Sequence, residues 1–177
     1  MIIDAAFAVV RRSGVDEINV RKIAAELGCS TQPVMYHFRT MEELKSEVFD
    51  KSVDFSMEYS FKDDPDSIEE LCLRYIRFAN EEHNLFRFIY QTGRVITEKL
   101  KEYFECEKIS KPITNFMNES GMTRAQAGSM ISTLFLTIHG YCSLVANGCV
   151  EYDEGAARSI LENALASMTP YWKTLDR

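Results

Sequence analysis

The sequence predicts an all-α protein, in which an N-terminal three-helix unit precedes a larger helical bundle, with about nine helices in all. Apolar residues recur at helical spacing from one end of the chain to the other. No β-hairpin signal, internal repeat or low-complexity tract interrupts this pattern. Glycine and proline are scarce, with 8 and 4 among 177 residues, so we expect helices joined by short turns rather than two halves joined by a linker.

The first two helices are predicted from their boundaries. Ser13-Gly14 ends an amphipathic helix that begins near the N-terminus. Asn19 is a suitable N-cap for a second helix over residues 20–27, and Gly28 follows it as a C-terminal glycine.

A third short helix is predicted directly after Gly28. Ser30 is its expected N-cap, Pro33 falls in its first turn, and the helix ends near Phe38. Small Ala24 on the preceding helix permits a close crossing, and apolar Val34 would dock the third helix onto it. Two short helices joined by a glycine turn are typical of a helix-turn-helix.

The rest of the chain divides into six further helical segments. Capping boxes at Thr40 and Ser67 begin two of them, separated by a break that contains Pro65. The predicted segments are 40–60, 67–79, an aromatic-rich segment at 85–90 that ends at Gly93, a helix or helix pair at 95–119 with Pro112 inside, a long helix at 123–147, and a last helix at 153–168 ahead of Pro170.

The outward side of the third helix has chemistry suited to DNA. Ser30, Thr31 and Gln32 lie at its N-terminal end, and glutamine can make a bidentate contact with adenine in the major groove. Tyr36, His37 and Arg39 could donate to phosphates and fix the register.

Three motifs resemble the DNA-binding domain of the tetracycline-repressor (TetR) family. They are D-A-A-F at 4–7, separated by six residues from Gly14, then V-R-K-I-A-A-E-L-G at 20–28, and Y-H-F-R-T-M-E-E-L at 36–44. The resemblance implies that Arg21 enters the groove, that Thr31, Gln32, Pro33 and Tyr36 face the DNA, and that His37 contacts phosphate. The complete predicted DNA-binding set is Asn19, Arg21, Ser30, Thr31, Gln32, Pro33, Tyr36, His37 and Arg39.

Two departures from the family pattern affect phosphate contacts. Met35 stands where the family often has a tyrosine, and Met41 stands where it often has a phosphate-binding lysine. The net charge of −7 is also unusual for a DNA-binding protein, although residues 1–51 contribute only −1 and residues 52–177 contribute −6. We therefore expect modest, salt-sensitive affinity for DNA.

The resemblance implies a helix-turn-helix domain at residues 1–50 and a ligand-binding and dimerisation domain at residues 51–177. The segment T-I-H-G-Y-C-S-L at 137–144 is similar to the His-Gly signature of one C-terminal subgroup, and Gly140 would permit a close helix contact. In the family the last two helices form a four-helix bundle across a two-fold axis. The candidates here are Leu134, Ile138, Tyr141, Leu144, Val145, Ile160, Leu161, Ala164, Leu165 and Met168.

A small-molecule pocket inside the bundle is likewise implied by the family. Its ligand would be apolar or aromatic, and a cationic one would suit the acidic surroundings. The candidate residues are Phe78, His83, Phe86, Phe88, Tyr90, Phe104, Phe116, Met117 and His139. An aromatic stripe at helical spacing is more often simply core. No cofactor and no metal site are expected.

We expect a dimeric, ligand-released repressor that binds a palindromic operator. The sequence has no phosphate loop, no His-x-x-x-His pair and no recognisable nucleophile, so an enzyme is disfavoured. Two alternatives stay open: a helical scaffold that acts on a protein partner, and a regulator that responds through a thiol such as Cys142 or Cys149.

The cellular location is expected to be the cytoplasm. The N-terminus lacks the pattern of a signal peptide, and no apolar run approaches the roughly 20 residues of a membrane span. The five cysteines are an odd number with no Cys-x-x-Cys pair, which argues against a disulfide framework.

Overall fold

The computed structural model describes residues 1–93 and 106–175, and across them it is entirely helical, which confirms the predicted all-α class. Within these residues there are nine α-helices and one 3₁₀ turn, Val15–Glu17. The α-helices are α1 (Ile2–Ser13), α2 (Val20–Leu27), α3 (Gln32–His37), α4 (Met41–Ser60), α5 (Ile68–Glu81), α6 (His83–Gln91), α7 (Glu107–Ser120), α8 (Arg124–Ala146) and α9 (Glu154–Lys173).

The ends of α1 and α2 are where the capping residues predict them. Gly14 follows α1 with φ 87°, a conformation that glycine adopts without steric cost. The Asn19 side chain accepts a hydrogen bond from the Lys22 N–H at 3.0 Å and so satisfies one of the exposed donors of α2. Gly28 closes α2 in the left-handed conformation, with φ 64°.

The start of α3 differs from the prediction by one residue. Thr31, not Ser30, immediately precedes the helix, and its side chain makes no capping hydrogen bond. Thr31 itself has helical dihedral angles, φ −71° and ψ −18°, whereas a capping side chain normally comes from an extended residue. Pro33 lies in the first turn as predicted.

Helix α4 connects the helix-turn-helix to the rest of the molecule without interruption. Its 20 residues pass through residue 50, so the expected domain boundary falls inside one continuous helix. The Thr40 hydroxyl accepts from the Glu43 N–H at 3.1 Å, but the Glu43 carboxylate accepts from the Arg39 N–H rather than completing a capping box. The two parts of the chain therefore share a rigid element.

The core of the larger part is built on α5, which packs most extensively against α8 and also against α4, α6 and α9. Phe78, Phe86 and Leu134 are among the largest completely buried side chains. The last helix continues past Pro170 to Lys173, so the expected end at residue 168 is wrong. Trp172 packs in a second core cluster after the proline, and this packing offsets the one backbone hydrogen bond that proline removes.

Helix α8 is long and apolar enough to cross a membrane, with 23 residues and a mean hydropathy of 1.4. The expectation that no apolar segment approaches the length of a membrane span is therefore wrong. The helix packs against α5, α6, α7 and α9 in this fold. Core helices of globular proteins pass the same test, so the helix is weak evidence for a membrane location.

Candidate functional site

Helices α2 and α3 form a compact pair that presents one side of α3 outward. Val34 is buried against Ile23 and Leu44, which fixes the inner face of α3 to α2 and α4. Since α3 has only six residues, this anchor determines which of its side chains point away from the protein. The outward face consists of the residue types that sequence analysis assigned to DNA contact.

All nine residues predicted to contact DNA have exposed side chains. They come from the N-terminus of α2, the turn between α2 and α3, α3 itself and the residues just after it. The exposed residues are Asn19, Arg21, Ser30, Thr31, Gln32, Pro33, Tyr36, His37 and Arg39. None of these side chains is buried in the protein core.

The cations of the first 51 residues differ sharply in their surroundings. Five of the seven lysines and arginines form ion pairs with carboxylates, namely Arg11, Arg12, Lys22, Lys45 and Lys51. Arg21 and Arg39 form no ion pair with any described residue. Both remaining guanidinium groups therefore lie on the exposed face and are available to phosphate or to a base edge.

Two large apolar side chains share this face. Met35 is 67% exposed and Tyr36 is 87% exposed, and the Tyr36 ring meets the His37 ring edge-on at 5.9 Å. Met41, the other departure from the family pattern, is half-buried against the core. Apolar contact is one way to read the thymine methyl group, and it is also common in protein interfaces.

A partly buried ion pair joins the helix-turn-helix to the body of the protein. Arg11 on α1 donates from Nε to Glu82 Oε2 at 2.7 Å and makes a second contact with the same carboxylate, at the junction of α5 and α6. Asn84 Nδ2 donates to the Arg11 carbonyl at 3.0 Å, and the guanidinium lies 5.0 Å from the centre of the Phe55 ring. Local sequence patterns do not reveal this contact, because its partners are 71 residues apart.

Three of the predicted pocket residues meet in one aromatic cluster. The His139 ring lies 5.4 Å from the rings of both Phe86 and Tyr90. Tyr75 and Phe135, which the prediction did not include, complete the cluster, and the Tyr75 hydroxyl is 2.7 Å from His139 Nδ1. The i, i+4 spacing of Phe135 and His139 on α8 is the sequence signal that points to Phe135, whereas no local spacing points to Tyr75 on α5.

Burial within this cluster favours its neutral forms. The pKa of His139 is lowered because burial disfavours the imidazolium. Burial likewise raises the pKa of Tyr90 to about 12. The neighbouring cavity, bounded by Tyr75, Phe135 and Cys72, holds only about 40 Å³, close to the space of a single water molecule.

The other predicted pocket residues lie elsewhere. Phe78 packs against Tyr59 of α4 with ring centres 5.4 Å apart, and Phe88 packs against Phe49 at 5.5 Å. His83 is exposed, and its Nδ1 lies 3.4 Å from the Asn80 carbonyl oxygen, outside the aromatic cluster. Phe116 and Met117 belong to the second cluster near the end of α9, and Phe104 lies outside the described residues.

The ten predicted dimer residues fall into three groups by their burial in the single chain. Leu134, Ile138, Val145 and Leu161 are buried in the core of the single chain, so their side chains are already covered. Tyr141, Ile160, Ala164, Leu165 and Met168 are half-buried. Leu144 is 47% exposed, and Leu136, which the prediction did not include, is 69% exposed.

The expected close contact at Gly140 does not occur within the chain. A Cβ atom placed on Gly140 would meet no atom within 4 Å, so this side of α8 is open. Apolar periodicity identified the face of α8 that packs inward, whereas the exposed face carries Leu136, Gly140 and Leu144 without a charged residue. Gly140 thus lies on an open, uncharged surface.

The two cysteines named as thiol candidates have opposite environments. Cys142 is completely buried, and burial raises the pKa of its thiol, which disfavours the reactive thiolate. Cys149 is exposed in the connection between α8 and α9. Among the described residues there is no group of three or more His, Cys, Asp or Glu side chains that could hold a metal ion.

Comparison with known proteins adds a family for the N-terminal part. Residues 2–48 match the family described as bacterial regulatory proteins, tetR family. The matched range covers α1 to α3 and the first part of α4, and so includes every predicted DNA-binding residue. No curated protein matches the chain in sequence.

Solved structures share the fold over nearly the whole chain. A TetR transcriptional regulator from Rhodococcus sp. RHA1 is 15% identical with a TM-score of 0.60, covering 96% of this chain and 95% of that one. A TetR-like transcriptional regulator from the same strain gives 15% and 0.57, with coverage of 92% and 90%. A protein from Pseudomonas aeruginosa PAO1 gives 13% and 0.64, with coverage of 96% and 88%. At these identities the similarity establishes the fold, and it does not distinguish the His-Gly subgroup.

Proposed function

From the premise that residues 2–48 are a TetR-family N-terminal domain on a TetR-like fold, we propose that this protein is a DNA-binding transcription regulator. The observation that carries the proposal is the outward face of α2 and α3. There Arg21 and Arg39 have no ion pair among the described residues, while the other five cations of residues 1–51 are paired. Gln32 lies on the same face and supplies a side chain suited to adenine.

The regulator acts as a homodimer on a palindromic operator. A six-residue recognition helix reads few base pairs, and two copies about one helical turn apart would double the number. The uncharged exposed face of α8, with Leu136, Gly140 and Leu144 at its centre, is the surface we assign to the dimer. Apolar side chains exposed on a helix without charges are typical of a subunit interface.

Repression is the expected outcome of binding. A dimer that occupies a promoter blocks polymerase without any further contact. Because bacterial chromosomal DNA lies in the cytoplasm, the cytoplasm is the expected location of the protein. A small apolar or aromatic effector would release it. A ligand at the cluster around His139 would have to displace side chains, because the adjoining cavity holds only about 40 Å³.

The test measures DNA affinity after removing the two outward side chains. We expect Arg21→Ala combined with Gln32→Ala to weaken binding to a fluorescent duplex at low salt by at least about tenfold, since each contact is worth about 1–3 kcal/mol. Arg124→Ala is the matched control, because Arg124 is exposed and carries no ion pair with described residues but lies at the start of α8. Equal affinity of both variants for DNA would exclude the proposed face.

A protein partner is the second candidate for the same face. The exposure of Met35 and Tyr36 favours it, because large apolar side chains form the centres of protein interfaces. The same pair of substitutions separates the two functions. A DNA reader loses affinity and sequence preference when Arg21 and Gln32 are replaced, whereas a partner surface centred on Met35 and Tyr36 is indifferent to them.

A further inference from the structure

Met35 is a large apolar side chain on the exposed side of α3, and it is not among the nine residues predicted to contact DNA. Its exposed fraction is 67%. Successive residues of an α-helix are rotated by about 100°, so Gln32 and Tyr36 point almost directly away from the buried anchor Val34. By the same rotation Met35 lies about 60° from Gln32 around the helix. Met35 and Gln32 therefore share the outward side of α3.

Met35 also borders a small cavity between α2, α3 and the start of α4. The cavity holds about 160 Å³. Met41, the second departure from the family pattern, lines the same cavity. The remaining lining residues are Val20, Val34, Phe38, Arg39, Thr40 and Leu44. The two methionines thus contribute to one mostly apolar surface beside the outward side of α3.

Phosphate is a poor partner for the two methionines. A thioether has no N–H or O–H to donate, and its sulfur is only a weak acceptor. A charged oxygen that leaves water for an apolar surface gains no hydrogen bond in return. Arg39, which lines the same cavity and is exposed, is the residue that supplies positive charge to a phosphate there. Met35 is left with an apolar contact to offer.

We propose that Met35 is a specificity-determining residue that packs against the C5 methyl group of a thymine in each half-site of the operator. In the major groove this methyl is the apolar group that distinguishes thymine from the other bases. Methionine suits the contact because its unbranched side chain adapts to the surface that it meets. The inference rests on the proposed function, since it requires α3 to lie in the major groove.

The position of Met35 relative to Gln32 limits where the thymine lies. The two residues are three positions apart on α3, which corresponds to about 4.5 Å along the helix axis. Neighbouring base pairs are about 3.4 Å apart. If Gln32 contacts an adenine, the thymine that Met35 reads is therefore within about two base pairs of that adenine.

Tyr36 is the competing reader of the same methyl group. Its exposed fraction is 87%, and its ring meets the ring of His37, the residue assigned to phosphate, edge-on at 5.9 Å. The Tyr36 hydroxyl can donate to a phosphate, which the Met35 thioether cannot do. We therefore assign the methyl contact to Met35 and a backbone contact to Tyr36.

The experiment removes single methyl groups from the DNA. The operator is obtained by selection from randomised duplexes with the full chain, and each thymine of a half-site is then replaced in turn by deoxyuridine, which lacks only the C5 methyl. Fluorescence anisotropy measures the affinity. We expect one thymine in each half-site whose replacement weakens binding about fourfold, the factor that corresponds to burying one methyl group. Replacement in both half-sites should weaken binding by roughly 15-fold.

Two variants assign the methyl contact to one side chain. Met35→Gln keeps the length and helix propensity of the side chain but removes its apolar end, so it should bind the thymine and deoxyuridine duplexes equally. Tyr36→Gln is the matched control, and it should weaken binding to both duplexes by the same factor and keep the fourfold difference. Both positions are exposed, and circular dichroism checks that both variants fold like the wild-type chain.

A fourfold difference that survives in Met35→Gln would overturn the proposal, and its loss in Tyr36→Gln alone would assign the methyl to Tyr36. If deoxyuridine weakens wild-type binding at no position of a selected operator, the protein still reads DNA but Met35 reads no methyl group. The exposure of Met35 would then favour a protein partner. If no sequence is enriched at all, the proposed function fails and this inference fails with it.

Discussion

At the scale of single residues, the surroundings of each side chain determine which chemistry it can offer. His139 accepts or donates a hydrogen bond at the Tyr75 hydroxyl and is enclosed by the rings of Phe86, Tyr90 and Phe135. Burial lowers the pKa of His139, so the folded protein holds this imidazole neutral. Because the pKa of His139 is lowered in the folded state, the free energy of unfolding should depend on pH.

The free energy of unfolding should fall on acidification through about pH 6.5, the ordinary pKa of histidine. Below that pH the unfolded chain binds a proton at residue 139 that the folded chain resists, so acid favours unfolding until the lowered pKa of the folded state is passed. We expect His139→Asn, which keeps a polar atom near Nδ1, to show a smaller difference between urea midpoints at pH 7.5 and pH 5.5. An unchanged difference would mean that His139 is not held neutral.

The thiols should react in an order set by burial. Cys29 and Cys149 are exposed, whereas burial raises the pKa of Cys72 to about 12 and raises the pKa of Cys142 as well. We expect a disulfide reagent to modify the first two rapidly and the last two only in urea. Cys106 is half-buried, so the test variant replaces it as well. Cys29→Ser with Cys106→Ser and Cys149→Ser should abolish the fast phase. A fast phase that survives in this triple variant would contradict the burial of the two remaining thiols, Cys72 and Cys142.

At the scale of helices, the attachment of α1 to the body depends on the pair of Arg11 and Glu82. The Glu82 side chain is 9% exposed and that of Arg11 is 49% exposed, so the carboxylate is the partner that loses most when the pair is broken. Through this contact and the Asn84 hydrogen bond, α1 is held at the junction of α5 and α6. The orientation of the helix-turn-helix therefore depends on a connection to the larger part of the protein.

Replacing Glu82 with glutamine should lower the free energy of unfolding by about 1–3 kcal/mol, because the half-exposed Arg11 guanidinium loses its charged partner and one of its two hydrogen-bond acceptors. Glu26→Gln is the control, since its pair with Arg12 is more exposed and should contribute less than about 1 kcal/mol. Urea denaturation measures both. An equal effect of the two substitutions would show that the Arg11 contact is no stronger than an ordinary surface pair.

The ends of the helices can be predicted from the sequence more accurately than the contacts between the helices. Caps such as Asn19 and Gly28 act within one turn, so the sequence locates the ends of α2 correctly. The predicted end of the last helix ahead of Pro170 is wrong, because the packing of Trp172 beyond the proline is not visible in any local pattern. The exposed face of α2 and α3 followed from short-range spacing, whereas the Arg11–Glu82 contact joins residues 71 positions apart.

The predicted dimer residues also show that a local apolar pattern does not identify the partner of a buried side chain. Periodicity marks Leu134 and Ile138 as apolar positions to be buried, but it does not say whether the same chain or a second copy covers them. The structure covers both within the chain and leaves Leu136 and Leu144 on the outside. An apolar pattern alone therefore does not single out the exposed face of α8 that carries Leu136 and Leu144.

At the scale of the whole molecule, the account requires two copies of the chain. Leu136→Glu with Leu144→Glu should convert the dimer to a folded monomer, because charges placed on an apolar interface must be desolvated when it forms. Sedimentation equilibrium measures the mass, and circular dichroism checks that the helices remain. Leu136→Ala is expected to weaken the dimer less. A dimer that persists unchanged in the double glutamate variant would place the interface elsewhere.

The affinity for DNA should depend moderately on salt. Two guanidinium groups in each chain, Arg21 and Arg39, give four in a dimer, so the logarithm of the binding constant should fall with a slope of about −4 against the logarithm of salt concentration. Fluorescence anisotropy across a salt series measures this slope. A slope of about −6 or steeper would mean that cations outside this face contact phosphate.

The most direct test of the central claim is selection from a pool of randomised duplexes with the full chain at low salt. The account predicts enrichment of a two-fold symmetric site whose half-sites lie about one helical turn apart, with the preference lost in the variant that carries Arg21→Ala and Gln32→Ala. If a folded dimer enriches no sequence above the starting pool, the outward face of α2 and α3 does not read DNA, and the proposed function is wrong.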